Sequence, residues 1–340
     1  MKLGVMKIQT IELSLIIGLA AFSLSSCFKE KPLKTPSNVG IGKTNVINMD
    51  PNYSYQFFYS LETNQIISSN SRSAYDLMFD CDANKFHIWL NTAKFMCALN
   101  TNQTDFNAVT VHDTLNSFFW NYERGSYNVD SSALGNWWTT LPTSAQNVYV
   151  INLGRDTLGK ELGFVKMQVL GFNGNSYSIR YASLTSSDSG TITVPKDPTR
   201  NYRYVGLSDQ GKVVDGIEPD KSTWDLCFTH YTFVFHEPGY LLPYPVEGVL
   251  HNPYKVEAYV DSLVNYDSAS MAKFNPSLLQ HNRDAVGYEW KRWTGFNYTT
   301  KSYYVFYIQT GPNTYYKLHF ISFNNPQGVK GYPSFEYQQL

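Results

Sequence analysis

Charge is what this sequence has least of. Only 16% of its 340 residues are Asp, Glu, Lys or Arg, against roughly a quarter in an average soluble chain. The 27 basic and 28 acidic side chains balance to a formal charge of −1, so no basic excess exists to hold a phosphate backbone, and nucleic acid is a poor partner. The few Lys and Arg are also too dispersed to form a polybasic membrane patch. Cysteine is as scarce, with four residues and none in Cys-x-x-Cys spacing. His-Glu-x-x-His and Gly-x-x-x-x-Gly-Lys are missing too, so neither a zinc site nor a nucleotide loop is signalled. No Gly-x-Ser-x-Gly elbow or paired-acid motif stands out, which makes an enzyme the least favoured class.

Aromatics, by contrast, are plentiful: 26 Tyr, 21 Phe and 7 Trp reach 16% of the chain, interspersed with 22 Gly and 15 Pro. Aromatic and β-branched residues favour a pleated, half-buried surface, and frequent turn residues cut the chain into short runs. The expectation is an all-β protein with sparse short helices. The length predicts two domains, each with its own core.

Lys2 and Lys7 precede an apolar run from Leu13 to Leu24. At about 12 residues it is too short to span a bilayer and suits the core of a signal peptide. It ends in Leu24-Ser25-Ser26-Cys27, which resembles the lipobox of bacterial lipoproteins. That resemblance implies a signal peptide over 1–26, lipidation of Cys27, and permanent anchoring by several acyl chains. Residues 27–51 carry Lys29-Glu30-Lys31, Pro32, Pro36 and Gly40 without sustained period. They are expected to form a flexible tether spanning on the order of 25 Å. The expected location is an outer-membrane lipoprotein, with the cell surface and the periplasmic face both open. The odd set Cys81, Cys97 and Cys227 leaves open a Cys81–Cys97 bridge or buried free thiols.

The body is written twice. Ser73-Ala74-Tyr75-Asp76-Leu77-Met78-Phe79 recurs as Ser222-Thr223-Trp224-Asp225-Leu226-Cys227-Phe228, 149 residues later, and each copy follows a strand and turn. Gly163–Gln168 parallels Tyr315–His319, and Tyr177–Tyr181 parallels Pro333–Tyr337. Three blocks in one order at offsets near 150 indicate tandem duplication. Ser, Asp, Gly190, Pro195 and Pro198 concentrate over 185–201, so this stretch is expected to link a first β domain (52–184) to a second (202–340). Period-2 alternation puts Tyr75, Leu77 and Phe79, and likewise Trp224, Leu226 and Phe228, on a core face. Asp76 and Asp225 fall on the other face and are expected to accept structural hydrogen bonds rather than do chemistry. Asn275-Pro276 predicts a short helix start, with a counterpart expected in Val129–Trp138.

The second copy carries a resemblance. Tyr202–Leu207, the Gly211 turn, Val213-Val214 and Trp224–Tyr231 resemble the opening of the HmuY-like haem-binding lipoproteins, and Tyr304 to Tyr337 resembles that family's closing strands. The first copy matches more faintly, through Tyr75-Asp76-Leu77 and Lys166. The resemblance implies an all-β, non-enzymatic lipoprotein that captures haem and hands it to an outer-membrane transporter, holding the iron between axial His or Met side chains. Its ligand-bearing region corresponds to about 239–300. Within it, Gly287–Thr294 resembles one ligand stretch and contains no His or Met.

Axial ligands approach an iron from opposite faces. His230 and His236 lie six residues apart on one strand, roughly 20 Å along it, and cannot grip one iron. His281 and Met271 sit in an irregular segment ahead of Trp290, Trp293 and Phe296, and are the best haem-binding pair; His251 is a lesser turn candidate. His87, His112 and His319 receive no role. The alternative reading is a surface glycan-binding or adhesion lipoprotein, with Trp137-Trp138, Trp290 and Trp293 as sugar-stacking platforms.

Overall fold

The computed structural model describes residues 42–340 apart from 116–119, 129, 131, 187 and 208–210. The expected signal peptide, Cys27 and the first part of the tether lie outside the described residues. In the first half the strands are β1 (Lys43–Val46), β2 (Tyr55–Ser60), β3 (Gln65–Ser71), β4 (Leu77–Asp80), β5 (Ile88–Leu90), β6 (Cys97–Asn100), β7 (Asn121–Tyr122), β8 (Trp138–Thr140), β9 (Thr143–Ser144), β10 (Val148–Asn152), β11 (Phe164–Phe172) and β12 (Ser176–Ser183). The second half contributes β13 (Gly190–Pro195), β14 (Tyr202–Gly206), β15 (Lys212–Val214), β16 (Leu226–Glu237), β17 (Tyr240–His251), β18 (Glu257–Asp261), β19 (Lys291–Trp293), β20 (Tyr298–Thr300), β21 (Val305–Gly311), β22 (Thr314–Asn324) and β23 (Lys330–Gln339). Helical structure among the described residues is limited to short 3-10 turns. The all-β expectation holds.

Four main antiparallel sheets run β13-β12-β11-β10-β6-β7, β15-β14-β4-β5, β1-β23-β22-β21-β18 and β17-β16-β2-β3. The first pair encloses one core, with Leu77, Phe79, Ile88 and Val205 against Met167, Tyr177 and Ile179. The second pair encloses another, with Tyr59, Leu226, Phe228 and Val249 against Phe306, Leu318 and Phe335. Facing apolar sides bury at roughly 25 cal/mol per Å² of apolar surface, and this is the main force closing each sandwich.

Membership of the two sandwiches differs from the division read in the sequence. The opening hairpin of each half pairs with the Asp-bearing strand of the other: β14 lies on β4 (Tyr202 opposite Asp80) and β2 lies on β16 (Tyr59 opposite Leu226). β1 likewise closes the sheet of the second half against β23, while β13 pairs with β12. One sandwich is therefore β4 to β15 and the other is β1 to β3 with β16 to β23. The expected linker 185–201 contains β13, whose Ile192 and Val194 enter the first core, and the expected tether contains β1 followed by buried Ile47 and Met49. The cause is alternation over only a few residues: Thr191-Ile192-Thr193-Val194 is a period-2 strand too short to stand out beside Pro195 and Pro198.

Asp76 and Asp225 fasten this exchange. The Asp76 carboxylate accepts the Leu207 N–H at 2.6 Å and pairs with Lys94, while Asp225 accepts the Leu61 N–H at 2.7 Å and pairs with Lys255 at 2.8 Å. Asn91 and Asn252 repeat the same bonds, each donating to two backbone carbonyls just before its Asp. Lys166 holds the carbonyls of Phe106 and Val109, and Lys317 those of Tyr266 and Ala269. Lys317 is accordingly buried, and His319 beside it stacks on Tyr266 at 4.0 Å. The 3-10 turn at Pro276–Leu278 starts at Asn275 as expected. The counterpart expected in Val129–Trp138 falls partly outside the described residues, at 129 and 131; Asp130 between them is in a 3-10 turn, and Trp138 begins β8. Cys81, Cys97 and Cys227 are buried free thiols, so no Cys81–Cys97 bridge forms.

Candidate functional site

Between the two sandwiches lies a third apolar cluster containing Tyr75, Trp89, Tyr127, Tyr202, Tyr204 and Tyr231. It closes over a small internal cavity, and beside it a cleft of about 370 Å³ opens, lined by Trp89, Tyr127 and Tyr202 from one sandwich and by Val256, His281 and Arg283 from the other. A neighbouring cleft of about 290 Å³ shares Asp80, Lys85, Tyr202 and Pro253 with it and adds Arg200, Lys221 and Tyr254. The lining joins three aromatic residues to a larger set of polar and charged ones, and convergent polar groups in a concavity are what fix a small ligand's orientation.

Each wall is set by local structure. Gly125 donates its N–H to the Thr232 carbonyl, carrying the Ser126–Asn128 loop across onto the other sandwich. A Cβ at Gly125 would sit 2.1 Å from the Tyr231 ring, so only glycine permits this approach. Two residues on, Tyr127 is held at φ 47°, a left-handed conformation uncommon for an aromatic residue. Its ring is clamped between Trp89, with centroids 5.5 Å apart, and the Arg283 guanidinium at 4.8 Å.

Arg283 is the most unusual group in the cleft. It is only 7% exposed, donates its Nε–H to the His251 carbonyl at 3.2 Å and lies over the rings of Tyr127 and Tyr202. Among the described residues no carboxylate forms an ion pair with it. Glu218, a buried acid that feels the Arg283 charge, spends its oxygens on the N–H groups of Asn201 and Tyr202, the Asn201 amide and the Trp224 indole. Burial pushes the Glu218 carboxyl up to about 7 despite those donors. His251, at the end of β17, is fully buried, and desolvation together with Arg283 pushes its imidazole down to about 4. Burial likewise raises the Tyr127, Tyr202 and Tyr204 phenols above their ordinary value.

Of the expected pair, His281 lines the cleft. It is 86% exposed, and its Nδ1 is fixed 2.8 Å from Glu257, which leaves Nε2 free of that contact. Met271 opens the 3-10 turn Met271–Lys273, is 41% exposed and does not line either cleft. The structure thus does not bring the two together around a described cavity. His230 is half-buried, stacked near Tyr53 and 3.3 Å from Glu247, and desolvation lowers its pKa; His236 is exposed on the distal part of β16. Arg283, Lys85, Trp89 and Tyr127 went unnoticed in the sequence. In Asn282-Arg283-Asp284 the arginine reads as an ordinary surface charge, and no local pattern marks it as buried.

The sugar platforms fare unevenly. Trp137 and Trp290 are core residues, Trp138 is half-buried against His87, and only Trp293 is exposed. Among the described residues no group of His, Cys, Asp and Glu could hold a bare metal ion, and no helix is long and apolar enough to cross a membrane.

Two antiparallel sandwiches with exchanged hairpins, and an aromatic and basic cleft between them, define an all-β scaffold built around a shared groove. The chain belongs to the HmuY protein family, whose model matches residues 52–337 in one span covering both halves. No curated protein matches it. Among solved structures, apo PinO from Porphyromonas gingivitis is 10% identical, covering 88% of this chain and 97% of its own at a TM-score of 0.29. The apo HmuY analog of Tannerella forsythia is 12% identical, covering 89% and 98% at a TM-score of 0.24.

Proposed function

We propose that this chain is a non-enzymatic haem-binding protein, anchored through Cys27 at the outer membrane and supplying an uptake transporter there. The observation that carries the reading is the HmuY family match over 52–337. The cleft supports it with a donor set that fits an iron porphyrin. Trp89, Tyr127 and Tyr202 offer ring faces, Arg283 and Lys85 offer charge for acidic substituents, and His281 offers an imidazole of the kind that ligates haem iron. The iron would supply the ligand-exchange chemistry, and the chain's own task is to bind, orient and release. The glycan alternative is weaker, because two of its four tryptophans are spent on the cores.

Titrating haemin into the folded chain tests the reading. A saturable Soret shift is expected, weakened about tenfold or more by His281→Ala. Loss on Met271→Ala as well would support the His281 and Met271 pair, while loss on His281→Ala alone assigns the second axial position to another group. A flat titration with retention on a polysaccharide gel would overturn haem in favour of a glycan.

A further inference from the structure

A buried guanidinium is costly unless a counter-charge or a full set of acceptors meets it. Arg283 has one backbone acceptor, a side-chain bond to the Tyr202 phenol and two ring faces, and no carboxylate within ion-pair reach among the described residues. With Tyr127, it lines both the small cavity and the open groove. Lys85 lines the same groove, with Ser126, Asn128 and Asn282 as further polar groups. The groove's one acid is Asp80, and it is already committed: Oδ1 accepts the Trp89 indole N–H at 3.1 Å and Oδ2 accepts the His87 N–H at 2.9 Å. Asp82 joins only in the neighbouring cleft, where Arg200 and Lys221 outweigh it. Excess positive charge, one member of it buried, therefore faces a groove walled by aromatic rings.

We infer that Arg283 and Lys85 form a carboxylate-receiving site, and that the cleft selects planar aromatic ligands bearing carboxylates over neutral ones of the same shape. Arg283 is suited to the inner carboxylate because its fork presents parallel N–H donors, and its stacking on Tyr127 and Tyr202 fixes the fork's plane before the ligand arrives. Lys85, on the rim, takes the outer charge. The inference rests on reading the cleft as the haem site, and adds to it a rule of discrimination that does not depend on iron.

The test compares haemin with its dimethyl ester, which keeps ring and metal and removes both negative charges, by absorbance titration of the full chain. The acid is expected to bind at least tenfold more tightly. Lys85→Gln, a rim substitution that leaves the fold intact, should narrow the gap, and Arg283→Gln should narrow it further where the variant folds. Equal affinity for acid and ester overturns the carboxylate site and leaves the haem reading standing. Binding of neither overturns both. A tenfold gap unchanged by Lys85→Gln and by Arg283→Gln places the carboxylate contact elsewhere and also overturns the assignment.

Discussion

At the scale of single residues, the molecule's stability is tied to buried acids that resist ionisation. Glu218 and Glu123 are fully buried, and desolvation pushes each carboxyl up to about 7. An acid whose folded value lies above its unfolded one holds its proton more tightly in the native state. Its contribution is therefore present at low pH and is lost as pH rises from about 4.5 to about 7. His251 acts in the opposite sense: its folded value of about 4 lies below the ordinary one, so stability falls as pH drops from about 6.5 towards 4. Glu218→Gln should remove one acid's share of the decline, of the order of 3 kcal/mol between pH 4.5 and pH 7.5. Urea melts of both proteins at a series of pH values would show it as a flatter slope for the variant. Identical slopes would mean that Glu218 ionises freely in the native state. Gly125 offers a second residue-scale test, since Gly125→Ala drives a methyl into the Tyr231 ring. A loss of about 1–3 kcal/mol is expected, as for other overpacked sites, and an unchanged melting temperature would contradict the close approach.

At the scale of elements, the exchanged hairpins depend on two carboxylates. Each of Asp76 and Asp225 accepts an N–H from the opening hairpin of the other half and pairs with a lysine of its own. Asp76→Ala strands the Leu207 N–H and the buried Lys94 ammonium together and should cost about 3 kcal/mol, since one member of a buried pair is left alone. Asp225→Ala strands the Leu61 N–H, whereas the part-exposed Lys255 keeps the Ser222 carbonyl, so about 1–3 kcal/mol is expected there. Denaturant unfolding measures this, and a loss under about 0.5 kcal/mol would show that the hairpins are held by packing alone. These elements also show how far the sequence reads. The Asp-bearing strands were legible because their alternation is local and occurs twice, and their aspartates are structural, as their residue type and place suggest. The exchange was not legible, because a hairpin's sequence specifies its own turn and register but not which distant strand completes its sheet. Even the core face is only half visible: Leu77 and Phe79 enter one core, while Met78 on the opposite side is equally buried in the cluster between the sandwiches.

At the scale of the whole molecule, exchanging hairpins between the two halves creates the groove between them. That groove gathers Trp89, Tyr127, Tyr202, His281 and Arg283, residues from four separate stretches of chain, which is why His281 could be named from sequence and its neighbours could not. The central claim is that a porphyrin occupies this groove and touches both sandwiches at once. Hydrogen exchange of the chain with and without saturating haemin tests it most directly. New protection should appear together at 80–89, 126–128 and 281–283. Protection confined to one of these stretches, or found only on the exposed distal part of β16 and β17, would contradict it.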